Sequence, residues 1–129
     1  MLLRIDLPEG TLPPLGKYSH AIRAGDFLFV TGHLAEDPQT GEVVTGPIDR
    51  QVRQVMDNLK LILEQAGTSF DRAVMARVFI TDMRYFDTVN EIYASYFSGG
   101  CLPCRTTIAV VGLAGLGDVE IDLIVYCGD

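Results

Sequence analysis

Positive charge is scarce in this sequence of 129 residues. Lys17 and Lys60 are the only lysines, and ten Lys and Arg residues stand against seventeen Asp and Glu residues, which gives a formal net charge of -7 at pH 7. The chain therefore lacks the basic stripe with which proteins follow a phosphate backbone. We do not expect it to bind nucleic acid non-specifically.

Long apolar runs are also missing. No stretch approaches the ~18 consecutive apolar residues that a membrane-spanning helix needs. Near the N-terminus, Asp6, Pro8, Glu9 and Gly10 interrupt any helix, and no basic segment precedes a long apolar one as it does in a secretory signal. We therefore expect neither a targeting segment nor a membrane span, and we expect a cytoplasmic protein.

The few cysteines and histidines do not form a recognisable metal or redox motif. Three cysteines are an odd number, which fits a reducing compartment better than a disulfide-stapled scaffold. Cys101 and Cys104 have C-x-x-C spacing, but a strand is predicted to follow them, whereas a redox pair uses a helix N-terminus to stabilise its thiolate. Zinc would need about four ligands, and only His20 and His33 could be added. We expect no metal and no cofactor.

Hydrophobic residues, by contrast, make up 48% of the chain, which is enough for one core. We expect a single domain over residues 1–129. A domain of this size can build only a shallow pocket by itself, so a site between subunits is a natural alternative.

Apolar periodicity and turn residues predict an α+β fold, a mixed β-sheet with two helices packed on one face. Ala24-Gly25-Asp26 separates the two strands of a hairpin, and an i, i+4, i+7 apolar face predicts a long helix that Gly67 stops. The chain order is two or three strands, helix, strand, helix, strand, strand, with a right-handed crossover in the central strand-helix-strand unit. The elements after the hairpin cover residues 48–66, 73–81, about 84–98, 105–111 and 119–126.

Polar residues interrupt two of these apolar patterns. Asn90 lies four residues after Phe86 and three before Tyr93, inside a helical stripe, so it is either a core amide bonded to backbone or a polar group that lines a site. Arg105 and Thr107 point to one face of a strand. An arginine there is either a solvated or ion-paired edge residue or the bidentate partner of a carboxylate.

The last strand carries two carboxylates, Glu120 and Asp122, on its second face. A glutamate at the end of a sheet could orient a water or transfer a proton, but on a half-exposed sheet it is as readily a solvent-facing residue. Tyr18 could supply a phenol, although a tyrosine at the start of a strand usually packs. These residues indicate a site without naming a reaction.

The chain resembles the RidA/YjgF family from about Leu15 to Tyr126. The likeness rests on the order and spacing of six stretches: GKYSHAIRAGDFLFVTG, DPQTGEVV, QVRQVMDNLKLILEQAG, VNEIYASYF, PCRTT and VEID. It implies a chorismate-mutase-like fold assembled as a homotrimer, with three sites in the clefts between neighbouring subunits.

The resemblance also implies an activity, which is the cofactor-free hydrolysis of 2-aminoacrylate-like enamines and imines to 2-keto acids and ammonia. Arg105 would hold the substrate carboxylate, and Glu120 would position the attacking water or assist its proton transfer. Five further residues would contribute to the cleft, through their side chains or, for the last two, through backbone contacts: Tyr18, Asn90, Thr107, Thr31 and Gly32.

The sequence departs from the family around these residues. Members commonly have proline where this chain has Lys17, and glutamine where it has His20 and His33. They commonly have alanine at the position of Cys104, and often cysteine at that of Thr107. Because Lys17 and His20 flank Tyr18, the departures bear on the range of substrates more than on the core reaction.

Three other functions stay open on the sequence. A deaminase dedicated to a larger substrate such as 2-aminomuconate would use the same residues. A non-catalytic regulatory trimer would bind keto acids or other carboxylates in the same cleft without turnover. The ribonuclease activity sometimes attached to the family is disfavoured by the acidic net charge.

Overall fold

Within residues 1–8, 10–11, 14 and 16–129, which the computed structural model describes, the chain forms six strands and two α-helices. The strands are β1 (Leu2–Ile5), β2 (Ala21–Ala24), β3 (Phe27–His33), β4 (Ala73–Ile80), β5 (Cys104–Ala109) and β6 (Val119–Tyr126). The helices are α1 (Ile48–Gln65) and α2 (Phe86–Ala94). In this part of the chain neither helix is long and apolar enough to cross a membrane.

The strands form one mixed sheet in the order β1-β2-β3-β6-β4-β5. Neighbours are antiparallel except β4 and β5, which are parallel and are joined through α2. β6, the last described strand in the sequence, lies in the middle and pairs with both β3 and β4. The predicted fold class is confirmed. The short Val43-Val44 pair, which left the number of early strands open, forms only an isolated bridge from Val43 to Glu36, and β1 is a strand that the pattern did not predict.

Helix α1 forms and ends where the apolar pattern predicts. The residues of its buried stripe are each at most 1% exposed: Val52, Val55, Met56, Leu59, Ile62 and Leu63. The helix ends before Gly67, whose φ of +74° is a left-handed conformation that residues with a side chain rarely adopt. Thr68 then donates its backbone N–H to Leu63 O at 2.9 Å, which satisfies a carbonyl of the last turn.

Helix α2 is shorter than predicted at both ends. A 3-10 turn over Met83–Tyr85 precedes it, and the Asp82 carboxylate accepts the backbone N–H of Arg84 at 2.8 Å. After α2 the chain turns away because the Asp71 carboxylate binds the N–H groups of Ser98 and Gly99, each at 2.9 Å. A carboxylate distant in sequence thus replaces the last predicted turn.

The core lies between the two helices and one face of the sheet. Alternation in β6 is complete, because Val119, Ile121, Leu123 and Val125 are each at most 1% exposed while the residues between them are half-buried. The opposite side, which we call the open face, has no described element packed over it and carries apolar residues from five strands: Ile22, Phe29, Ile124, Met75, Phe79 and Ile108.

Candidate functional site

The residues predicted for the site fall into two groups in the folded chain. Tyr18, Thr31, Gly32 and Glu120 meet near the end of β3, and we call them the β3 group. Asn90, Arg105 and Thr107 lie on α2 and β5, and we call them the β5 group.

Arg105 of the β5 group faces the helix layer from an edge strand. In the parallel register it lies opposite Ala76, a fully buried residue of the core face. Its guanidinium carbon sits 5.0 Å from the centre of the Tyr93 ring and 5.6 Å from that of Phe86. Such stacking leaves the planar edge of the guanidinium, with its N–H groups, open to an anion. Among the described residues no carboxylate pairs with it.

Asn90, for which both a core position and a place in a site were open, lies on the helix whose rings stack beneath Arg105. Asn90 is exposed, so the interpretation as a core amide is wrong. It shares a helix face with Phe86 and Tyr93. The rings of these two residues lie beneath the Arg105 guanidinium, so their contacts are not purely apolar. Thr107 lies opposite Val78 in the register, on the same side of β5 as Arg105, and its buried Oγ1 has no hydrogen-bond partner among the described residues.

The two aromatic residues beneath Arg105 were missed as part of the site. Their spacing of seven residues was a detectable signal, because it places both rings on one helix face two turns apart. Burial raises the pKa of Tyr93 to about 12, with the charge of Arg105 acting weakly in the other direction. The phenol therefore stays protonated at neutral pH.

The β3 group is organised by an irregularity in the sheet. The β3–β6 register shifts between Val30 and His33, which leaves Thr31 and Gly32 outside the regular ladder. Thr31 donates its N–H to His20 O at 3.0 Å. A Cβ atom at Gly32 would collide with the Glu120 carboxylate, so this carboxylate lies directly on the glycine backbone.

Glu120 is the candidate base of this group. Burial raises the pKa of its carboxyl, the charge of Asp122 raises it further, and that of Arg77 lowers it. Arg77 donates instead to Asp122, with the shortest of three hydrogen bonds at 2.6 Å. Glu120 thus accepts no hydrogen bond from the described residues and has a raised proton affinity, as a carboxylate that takes a proton from water requires.

A small cavity lies at the other three residues of the β3 group. Its volume is about 20 Å³, and Tyr18, Thr31 and Gly32 line it together with two buried histidines, His20 and His33. The histidine rings are buried and stack with centres 5.4 Å apart and planes inclined by 24°. A space of this size holds about one water molecule and not a 2-imino acid.

The two groups are too far apart to share one small ligand in a single chain. Arg105 faces the helices, whereas Glu120 lies opposite Phe79 on the open face. The register offsets them by two strands and three residues, which separates their Cα atoms by roughly 14 Å. Only a second copy of the chain could present an Arg105 to the Glu120 of the first.

The described residues contain no cluster of three His, Cys, Asp or Glu side chains arranged to hold a metal ion. Cys101 and Cys104 are both exposed, unbridged and followed by strand β5. The chemistry that the site offers is therefore a cation on an aromatic surface, a carboxylate and several hydrogen-bonding groups.

Comparison with known proteins places this geometry in context. The model of a protein family described as Endoribonuclease L-PSP matches residues 9–127. A RutC family protein of Pyrococcus horikoshii is 44% identical over 118 residues, which cover 92% of this chain and 93% of that relative. A mouse protein named 2-iminobutanoate/2-iminopropanoate deaminase is 37% identical over 88% of this chain and 84% of its own. A structure from Yersinia pestis, described as a protein of unknown function of the conserved Rid family, superposes with a TM-score of 0.92 at 36% identity, covering 98% of this chain and 99% of that one.

Proposed function

The chain belongs to the Endoribonuclease L-PSP family, the RidA/YjgF family that its motifs resemble, and we propose that it hydrolyses small 2-imino acids to 2-keto acids and ammonia. The observation that carries the proposal is the Arg105 guanidinium, which lies on Tyr93 and Phe86 without a carboxylate partner among the described residues. The name of the mouse relative supports the same substrate class.

Arg105 binds the substrate through its carboxylate. The planar fork of the guanidinium matches a carboxylate with two parallel hydrogen bonds, and this fixes the orientation of the adjacent C=N carbon. Tyr93 and Phe86 keep the fork in place, while Asn90 and Thr107 offer polar groups beside it.

Glu120 acts on the water. It accepts a proton as the water oxygen bonds to the C=N carbon, and the nitrogen of the protonated imine takes up the electron pair of the broken π bond. The resulting carbinolamine loses ammonia after its nitrogen is protonated, and its hydroxyl becomes the keto group. One imine and one water give one keto acid and one ammonia, so no redox partner is needed.

The site is completed between copies of the chain, in a homotrimer. The separation of Arg105 from Glu120 on opposite faces supports this arrangement, as does the apolar open face. Each cleft would combine the β5 group of one subunit with the β3 group of its neighbour, which supplies the room that the 20 Å³ cavity of a single chain lacks. Three unbridged cysteines support a cytoplasmic location.

The test is ammonia release from imines generated in situ from 2-aminoacrylate and 2-aminocrotonate, with semicarbazide as a competing trap. We expect Arg105→Ala to lower kcat/KM by about a hundredfold or more, because a carboxylate would lose its charged partner. Arg84→Ala is the control, since its exposed side chain pairs with the nearby Asp82.

Other outcomes point to other functions. Near-normal rates for Arg105→Ala would overturn the role of the arginine. Faster turnover of 2-aminomuconate than of short imines would indicate a pathway enzyme, and saturable binding of keto acids without turnover would indicate a regulatory protein. RNA cleavage that survives loss of Arg105 would indicate contamination, since the net charge is -7.

A further inference from the structure

The two histidines of the chain form a single buried contact beneath the β3 group. His20 immediately precedes β2, and His33 is the last residue of β3. Each is 6% exposed, and their rings stack at 5.4 Å between centres. Burial of two imidazoles costs free energy unless other interactions replace their lost hydration.

The two histidines line one cavity together with Thr31 and Gly32, the segment whose backbone is predicted to contact substrate. Thr31 is bonded through its N–H to His20 O, and Gly32 is followed directly by His33. Because the regular β3–β6 pairing is broken between Val30 and His33, the ladder does not fix the two residues between them. On its other side, Gly32 is covered by the Glu120 carboxylate.

Charge favours the stack at neutral pH. Burial, and secondly the proximity of His20, lower the pKa of His33 to about 3, against a smaller opposing effect of a hydrogen bond with the His20 backbone. The other titratable groups around the pair are Tyr18 and Glu36 in the same cavity and Glu120 across Gly32. A neutral His33 lets the rings stay in contact without like-charge repulsion.

We propose that His20 and His33 act as one positioning pair, which holds the backbone of Thr31 and Gly32 against Glu120 so that the segment can bind substrate. This inference rests on the proposed function only for the identity of the substrate. The proposal gives neither histidine a contact with the reacting atoms, so both are positioning residues. The pair sets how well substrate binds, and Glu120 retains the proton transfer.

The test uses His20→Gln, His33→Gln and the double variant, since glutamine keeps a hydrogen-bonding group but removes the ring. We expect each single variant to raise KM for 2-iminobutanoate about tenfold and to change kcat by less than about twofold. The double variant should resemble the single ones, because either change already breaks the stack. The backbone ¹H–¹⁵N signals of Thr31 and Gly32 should move in all three.

Phe70→Leu is the matched control for lost stability. Phe70 is 6% exposed and packs on Tyr96 and Phe97, away from the stack. It should lower the unfolding temperature and leave both KM and the Thr31 and Gly32 signals unchanged.

Two results would overturn the proposal that the histidines act as a pair. One is an unchanged KM with unmoved Thr31 and Gly32 signals in both single variants. The other is a double variant in which the increases in KM of the single variants multiply. If the wild-type protein shows no deaminase activity, the proposed function fails by itself. The backbone signals of Thr31 and Gly32 then still test whether the histidines act as a pair, because measuring them requires no turnover.

Discussion

Glu120 owes its position to a neighbour without a side chain. Its carboxylate occupies the space that a Cβ atom at Gly32 would take. The glycine here therefore leaves room for the carboxylate and does not serve an unusual backbone conformation. A position chosen for close approach is sensitive to a single methyl group.

Gly32→Ala should therefore reduce activity more than stability. The methyl group would displace the flexible Glu120 side chain and lower kcat by about tenfold or more, while the unfolding temperature changes little. Gly112→Ala is the matched control, because a Cβ atom there would meet nothing within 4 Å. Equal kinetics in the two variants would contradict the close approach.

His33 should make the folded state sensitive to acid. Its pKa is about 3 in the folded chain and near 6.5 when unfolded. Between pH 3 and pH 6.5 His33 is therefore protonated in the unfolded state and neutral in the folded state. The contribution to the free energy of unfolding is complete above pH 6.5 and is lost as the pH falls toward 3.

Urea unfolding at pH 7 and pH 5, at fixed protein concentration, measures this loss. His33→Gln removes the titrating ring and should lose less free energy of unfolding over that interval than the wild type. The raised pKa values of Glu36 and Glu120 act with the opposite sign in both proteins, so the comparison isolates the histidine. Identical losses would contradict the low pKa of His33.

At the scale of elements, α1 is attached to the sheet by polar bonds as well as by its apolar stripe. Gln51 is fully buried, and its amide nitrogen donates to Gly46 O at 3.0 Å and to Asp118 Oδ2 at 2.9 Å. Its oxygen accepts the N–H of Asp118 at 2.8 Å, and Asp118 also accepts from Thr81. One side chain thus connects the start of α1 to the start of β6.

Gln51→Ala should destabilise the fold by about 2–4 kcal/mol, because it leaves buried partners without hydrogen bonds and opens a cavity. Chemical denaturation measures the change. Arg50→Ala, an exposed neighbour in the same helical turn, should change the free energy of unfolding by less than about 0.5 kcal/mol. A loss at Gln51 no larger than that at Arg50 would show that these bonds contribute nothing.

Periodicity predicted the elements well because it depends on neighbours close in sequence. The stripe of α1, the alternation of β6 and the hairpin at Gly25 all formed as expected. The end of α2 was wrong because it depends on Asp71, more than twenty residues away. The burial of Asn90 stayed open for a related reason: a helical stripe shows which residues share a face, but not that Arg105 would lie over that face.

The candidate site was predictable as a set of residues but not as an arrangement. The face shared by Arg105 and Thr107 followed from strand alternation, and the register agrees with it. That Glu120 would lie on the opposite face depended on strand order, which the alternation of one strand does not contain. The roles of both residues in catalysis remain predictions.

At the scale of the whole molecule, the open face has the composition of an interface. Ile22, Phe29, Ile124 and Met75 follow one another across four neighbouring strands, and Phe29 is 48% exposed. Apolar rows of this kind on a sheet usually pack against another surface.

Phe29→Lys should convert a trimer into monomers, because a charge would replace an aromatic ring in the middle of this row. Light scattering at several protein concentrations gives the mass, which should fall to about one third. Imine hydrolysis should fall with it, since the two groups of the site would no longer meet. Val111→Lys, a fully exposed residue outside the sheet, should keep both mass and activity. A wild-type protein that is already monomeric would contradict the assembly.

The central place of β6 also has a consequence for biosynthesis. β3 and β4 have no ladder with each other and are joined only through β6, which the ribosome makes after every other described strand. Until it emerges, the nascent chain can hold two separate partial sheets, each with an unpaired apolar edge. Translation that stalls shortly before residue 119 would leave both edges open to chaperones, proteases and other nascent chains.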